Sequence, residues 1–199
     1  GGSSQINGLV YTRGHWRDYD EWARLGATGW SYREVLPYFK RMESSWAGET
    51  EYRGGRGPVG VRAPRHEALM FEVYREAAAQ AGHVVTEDYH ARVAEGFTPV
   101  ELTTRGGRRS SSFKAYLSEV LRQRPNLRVS SRAHARRIVV EHGRAVGVEL
   151  LRGGVVETLR AEREVVLCGG AYGSPQLLML SGIGPAEELR RHGIGVLQD

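Results

Sequence analysis

Apolar positions recur at helical intervals through much of the first 123 residues and switch to a period of two afterwards. Asp18 with Glu21, and Ser31 with Glu34, have the spacing of a capping box, in which side chain and backbone satisfy each other's orphan donors. Each pair predicts the start of a short helix. Val35, Phe39 and Met42 extend the second one, with Pro37 expected to kink or restart it by removing a backbone donor. From residue 44 to 64 the chain turns polar and glycine-rich, which predicts a loop carrying a short strand over Val59–Arg62. Glu67–Ala81 reads as an amphipathic helix with Met70, Tyr74, Ala77 and Ala81 on one stripe and Gly82 as its stop. Phe113–Gln123 reads the same way and ends before Pro125.

Beyond that point Leu127–Ser131, Arg136–Glu141, Arg144–Leu151 and Val155–Arg160 are β-rich runs, the last three separated by the turn signals His142-Gly143 and Gly153-Gly154. Those three predict an antiparallel meander. Glu164–Cys168 is a short apolar run expected to be a strand buried on both faces. A helix follows, expected to start with Ser174 as cap and Pro175 in the first turn. A last one starts at Gly184-Pro185, carries Glu187 and Glu188 first and Arg190, Arg191 and His192 last, and stops at Gly193, so its charges complement the helix dipole.

Composition narrows the class without naming a function. At 199 residues the chain is long enough for one or two domains, and 40% hydrophobic with 26% charged residues is the balance of a soluble globular protein. No apolar run approaches the ~20 residues of a membrane span. The net charge of +5 invites a nucleic-acid reading, but the arginines are spread along the chain and interleaved with Glu; the nearest to a cluster is Arg105, Arg108 and Arg109. Scattered arginines of this kind describe a solvated surface, and no nucleic-acid partner is expected. A single Cys168 excludes an internal disulfide and fits a reducing compartment. The seven histidines lack ligand spacing, so no metal site is expected, and Ser110-Ser111-Ser112 reads as a helix cap rather than a nucleophile.

Two runs of small residues carry the candidate chemistry. The first is Gly1-Gly2-Ser3-Ser4-Gln5-Ile6-Asn7-Gly8, followed at once by Leu9-Val10-Tyr11; the second is Gly170–Pro185, GAYGSPQLLMLSGIGP. Glycines let the backbone lie close to a ligand, while exposed amides and the Ser3 and Ser4 hydroxyls can donate to phosphates or a ring edge. A linker is the plain alternative for the first run, but linkers do not continue into an apolar strand. Together with Arg13-Gly14-His15, Asp18-Tyr19-Asp20, Trp22, Gly29-Trp30-Ser31-Tyr32, Pro37-Tyr38-Phe39, Gly107-Arg108-Arg109, Ser111, Ala115-Tyr116-Leu117 and Asn126-Leu127, the two runs resemble the glucose-methanol-choline family of FAD-dependent oxidoreductases, in its choline-dehydrogenase-like branch.

The resemblance implies an α/β fold with α+β elements: part of an FAD-binding Rossmann-like domain with an antiparallel β-meander, plus part of a cap or substrate domain. Residues 1–40 would form the flavin-contacting loop and connecting helices, 41–125 part of the cap domain and its connection, and 126–199 the return to the FAD domain. It implies that Gly1, Gly2, Ser3, Ser4, Asn7, Gly8, Leu9 and Val10 contact FAD, that the backbone of Ala135 reaches the adenine, and that Gly169, Gly170 and Ala171 lie near the cofactor. Some choline oxidases carry a flavin-linked His where this chain has Ile6, so the FAD is expected to be noncovalent. The implied reaction is oxidation of a small alcohol, choline-like or another primary alcohol, by hydride transfer to the flavin; an oxygen-using oxidase or a noncatalytic binding fragment are the alternatives. The family's G-x-G-x-x-G turn does not occur in these residues and its catalytic His lies late in the sequence. The chain is therefore expected to be an internal piece of a longer cytoplasmic enzyme, peripheral membrane association being the alternative, and to be inactive alone, with no catalytic residue of its own.

Overall fold

A computed structural model describes residues 2–63, 70–92 and 95–199. They form two compact units, residues 1–127 and 128–199.

In the first unit, α1 (Trp16–Arg24) opens differently from the expectation. Its cap is His15, whose Nδ1 accepts from Arg17 N at 3.2 Å while the Asp18 carboxylate accepts from His15 N at 3.1 Å. An imidazole nitrogen thus serves as the capping acceptor, one turn upstream of the Asp18/Glu21 pair, and Glu21 pairs with Arg24 instead. The second capping box is as expected: Glu34 accepts from Ser31 N at 3.1 Å and opens α2 (Tyr32–Met42). Pro37 neither ends nor restarts α2. It forfeits one backbone donor, and the helix is held instead by rings packed across to α1, Tyr19 edge-on to Phe39 at 5.6 Å, and by Asp20 accepting from Tyr32 N at 2.9 Å.

Short strands complete this unit. β1 (Val10–Tyr11) runs antiparallel to β4 (Glu101–Leu102), pairing Tyr11 with Glu101; β2 (Glu43–Ser45) runs parallel to β3 (Val59–Val61), the strand expected there. β5 (Thr104–Arg105) and β6 (Arg108–Arg109) form a hairpin. Its loop is Gly106-Gly107, both at positive φ (56° and 72°), as a two-residue turn matched to strand twist requires. Of the expected helix over 67–81, residues 67–69 lie outside the described residues; α3 spans Phe71–Gln80. Its predicted apolar stripe is not the buried one: Met70 and Tyr74 are exposed and Ala78 is buried. Phe113–Gln123 is likewise broken into a π-helical turn, Phe113–Leu117, and a short α4, Val120–Gln123.

The second unit contains the predicted meander, β7 (Ala133–Glu141), β8 (Arg144–Arg152) and β9 (Val155–Arg160), in that order and antiparallel. Both turns fall on the expected dipeptides, with positive φ at His142, Gly143, Gly153 and Gly154. Several scattered arginines are accounted for here: Arg137 pairs with Glu149 at 3.0 Å and Arg160 with Glu141 at 2.6 Å across the sheet. Leu127–Ser131 is not a strand. Neither is Glu164–Cys168, which runs with Val166 73% exposed and no paired strand among the described residues. An apolar run becomes a strand only through backbone partners. α5 spans Gly170–Leu180, so it begins one turn before the expected Ser174 cap and carries Pro175 inside its second turn. Ser181 ties it to β7, accepting from Ile138 N at 2.7 Å and donating to Leu177 O at 2.6 Å. α6 (Ala186–Arg191) lies where expected, with Leu189 buried and Asp199 accepting from Ala186 N at its start.

Candidate functional site

The first small-residue run is an exposed loop of defined shape. Gly2 has φ 63° and ψ −174°, a conformation open essentially to glycine alone, and leads into one 3-10 turn, Ser3–Gln5. Ile6 N and Asn7 N both donate to Ser3 O, at 3.0 and 2.8 Å. Gly2, Ser3, Asn7 and Gly8 are exposed, and a Cβ on Gly2 or Gly8 would meet nothing within 4 Å. The Ile6 side chain is 87% exposed. Leu9 then takes φ 66°, a left-handed conformation that a branched side chain rarely adopts. What holds it there is polar: Leu9 N donates to Asn7 Oδ1 at 3.2 Å, and Leu9 O accepts from Thr103 N at 2.8 Å and Thr103 Oγ1 at 3.0 Å. Val10, half exposed, enters β1. Gly1 lies outside the described residues.

Behind this loop the core of the unit is charged. Arg53, fully buried, donates from Nη2 to Glu101 Oε2 at 2.8 Å, from Nη1 to Glu101 Oε1 at 3.1 Å and Asp88 Oδ1 at 2.8 Å, and from Nε to Glu43 Oε1 at 3.1 Å. Burial works against its charge, but Glu101, Glu43 and Asp88 more than offset this and raise its pKa. Glu43 Oε1 also meets Arg13 Nη2 at 2.6 Å and Gly54 N at 2.7 Å. Trp46 Nε1 donates to Glu101 at 2.6 Å. Buried ions cost free energy unless partners are supplied, and here the partners come from five separate stretches of chain, with Glu43 Oε2 left without a hydrogen bond.

Tyr89 and His90 connect this cluster to the end of the loop. Tyr89 Oη donates to Tyr11 O at 2.5 Å, and His90 Nε2 lies 3.4 Å from the same oxygen and 3.8 Å from Glu101 Oε2. His90 is 4% exposed; burial first, then the Arg13 and Arg53 charges, push its pKa down from 6.5 to about 4. It is therefore neutral near pH 7 and donates from Nε2. The unfolded chain takes up a proton near pH 6.5 that the folded state refuses until about pH 4, so stability is full above that window and lost as pH falls through it, by up to about 3 kcal/mol. Denaturant midpoints measured between pH 6.5 and 4.5 should fall, and His90→Gln should flatten that dependence; an equal slope in the variant would refute the assignment.

In the second unit, Gly169 N donates to Ser174 Oγ at 2.9 Å. A Cβ at Gly169 would lie 3.0 Å from Gly173 C and Ser174 N, so glycine is required there by the helix itself. Gly170, at φ 84° with open space around it, and Ala171 form the exposed first residues of α5, next to Tyr172 at 93% exposure. Ala135 lies on β7 at a register irregularity between Ala135 and Arg137, where backbone is left outside regular pairing. Sequence reasoning singled out these positions and named Arg109 within the Gly107-Arg108-Arg109 run without giving it a role, but it missed the part played by His90 and Arg53. The Gly106-Gly107 pair between Arg105 and Arg108 was a readable hairpin signal; nothing local marks His90 or Arg53. Among the described residues no group of three His, Cys, Asp or Glu is placed to hold a metal ion, and no helix is long and apolar enough to cross a membrane.

The fold is similar to that of an FAD-dependent oxidoreductase and marks the class. The chain superposes over its whole length on pyridoxine 4-oxidase from Mesorbium loti (TM-score 0.94, 33% identity, 39% of that chain) and on an FAD-dependent oxidoreductase from Chaetomium thermophilum (TM-score 0.92, 30% identity, 37% of that chain). Within that class the chain belongs to the GMC oxidoreductase family, whose model matches residues 1–196. Curated relatives similar over all 199 residues include oxygen-dependent choline dehydrogenases of Brucella anthropi, at 50% identity, and Sinorhizobium medicae, at 52%. The chain spans 36% of the length of each.

Proposed function

We propose that this chain is the flavin-contacting part of an enzyme that oxidises a small primary alcohol, choline or a close analogue. The observation that carries this reading is the hydrogen-bonded, solvent-facing loop Gly2–Val10 in a chain that is similar over all 199 residues to choline dehydrogenases. The loop fits FAD chemically. Its backbone amides and the Ser3 and Ser4 hydroxyls supply donors, and its glycines leave a face without side chains against which a flat ring can rest. When bound, the flavin supplies the two-electron acceptor that takes hydride from the alcohol carbon.

The residues of this chain bind and orient. In the first unit Gly1 to Ser4, Asn7, Gly8, Leu9 and Val10 are assigned to FAD contact; in the second unit Ala135, through its backbone, and Gly169, Gly170 and Ala171 are assigned to FAD contact. Residues 1–40 and 126–199 serve the FAD domain and 41–125 the cap domain and its connection. Ile6 offers no nucleophile, so the FAD is held noncovalently. No base is assigned here: His90, the one buried histidine among the described residues, packs against Tyr89 and is held neutral by burial and then by the Arg13 and Arg53 charges. We place the enzyme in the cytoplasm, in keeping with the free Cys168.

The test is made on the full-length gene product. Purified protein should carry a visible flavin band that choline bleaches without oxygen, and acid precipitation should release the flavin into the supernatant. Colour left in the pellet would overturn noncovalent attachment; protein that takes up no FAD would overturn the reading. The oxygen dependence by which the relatives are named favours oxygen as electron acceptor over a dedicated partner, and stoichiometric peroxide from aerobic turnover would support it.

A further inference from the structure

The loop proposed to face the flavin does not hold its shape by its own bonds alone; a residue 102 positions after Asn7 shares in it. Arg109, on β6, points one terminal nitrogen, Nη1, at three loop oxygens: Asn7 O at 2.7 Å, Asn7 Oδ1 at 2.7 Å and Ser4 O at 3.3 Å. That nitrogen has two hydrogens, so the two short bonds to Asn7 are primary and Ser4 O takes a longer, shared one. Asn7 Oδ1 is in turn the acceptor for Leu9 N, the bond that keeps Leu9 at φ 66°. The next residues of the same segment add to the grip: Ser112 N donates to Ser4 Oγ at 3.1 Å, and Ser110 N bonds to Thr103 O, whose residue holds Leu9 O. The 3-10 turn and the left-handed Leu9 are thus clamped on both sides by residues 103–112. The guanidinium is half-buried beneath an otherwise exposed loop, where a charge-assisted bond is stronger than one between neutral groups.

We infer that Arg109 is a positioning residue for the flavin: it never needs to touch the cofactor, but it sets the path of Ser4–Leu9 so that the backbone donors and the glycine face are already in place when FAD arrives. This rests on the function proposed above. Preorganisation of this kind appears in cofactor affinity and in the cofactor's environment rather than in the stability of the rest of the fold.

The experiment uses full-length protein, stripped of FAD and titrated with it, comparing wild type, Arg109→Ala and Arg109→Lys by FAD dissociation constant, by visible circular dichroism of the bound flavin, and by the thermal transition of the FAD-free protein. Arg109→Ala is expected to weaken FAD binding about tenfold to a hundredfold, the loss of one to two hydrogen bonds to a charged donor. Its visible dichroism should change while the FAD-free transition stays put, and added guanidinium should restore binding. Arg109→Lys keeps a charged nitrogen on a shorter stem and should fall between the two. Wild-type affinity and dichroism in Arg109→Ala would overturn the inference, as would a loss of affinity that guanidinium does not restore and that only tracks a lowered thermal transition. If Arg109→Ala does not fold, Arg109→Lys decides: weakened binding at an unchanged transition supports the clamp, and wild-type binding or a lowered transition overturns it. Wild-type protein that binds no FAD would sink the proposed function instead, so the two failures are told apart.

Discussion

Arg53→Met is expected to cost about 3–5 kcal/mol, because it leaves Glu43 and Glu101 buried with their main counter-charge gone. The measurement is the denaturant midpoint of the full-length protein, which should fall at unchanged slope. The deficit belongs to stranded charge rather than lost attraction, so it should shrink when the carboxylates are neutralised. Arg53→Met combined with Glu101→Gln should therefore be less destabilised than the sum of the two single changes. A single-variant loss below about 1 kcal/mol would show that Arg13, which also reaches Glu43, or bulk solvent compensates freely, contrary to the burial of the site.

Gly54→Ala should be nearly as damaging, at about 3 kcal/mol or more, for a steric reason. The added carbon would stand 1.7 Å from Lys40 O, 2.6 Å from Lys40 C and 2.9 Å from Lys40 Cα, all backbone of the last turns of α2. The glycine cannot slide away cheaply, since its N–H is bonded to Glu43 Oε1 at 2.7 Å and its carbonyl accepts from Ser45 N at 2.8 Å. Moving it would loosen the same carboxylate that Arg53 needs. Gly8→Ala is the control: its methyl would enter open space, so stability should stay within about 0.5 kcal/mol. Near-equal midpoints for the two variants would contradict the packing described.

These two residues also mark what could not be read locally. Arg53 sits in a stretch of polar and glycine residues that reads as loop, and nothing within ten positions announces that it will be the most enclosed cation of its unit. The parallel pairing of Glu43–Ser45 with Val59–Val61 has no periodic signal either, being three residues long. Three local signals were sound. His142-Gly143 and Gly153-Gly154 turned the meander because only residues tolerant of positive φ can close two-residue hairpins, and Ser31 with Glu34 opened α2 because the box is completed within one turn. The expected box at Asp18 failed by one turn because a histidine upstream offered its ring nitrogen as acceptor. The buried strand expected at Glu164–Cys168 failed because strand pairing is a property of neighbours, which an apolar run cannot carry in itself.

The loop proposed to face the cofactor divides along the same line. Its composition, three glycines, two serines and an asparagine ahead of an apolar strand, marked it as a candidate for backbone close to a ligand, and its order with the later motifs was enough to reach the family. The sequence by itself determined the meander turns, the capping box of α2 and the chemistry on offer, because these depend on side chains acting within a few residues of their own backbone. Only the tertiary structure decided that Arg109 shapes the loop, that Thr103 holds Leu9 in a left-handed conformation, and that Arg53 binds Glu43, Asp88 and Glu101 in one dry cluster. Those bonds join residues 10 to 102 positions apart, and long-range pairing of charges is settled by which surfaces fold against each other, not by any spacing along the chain.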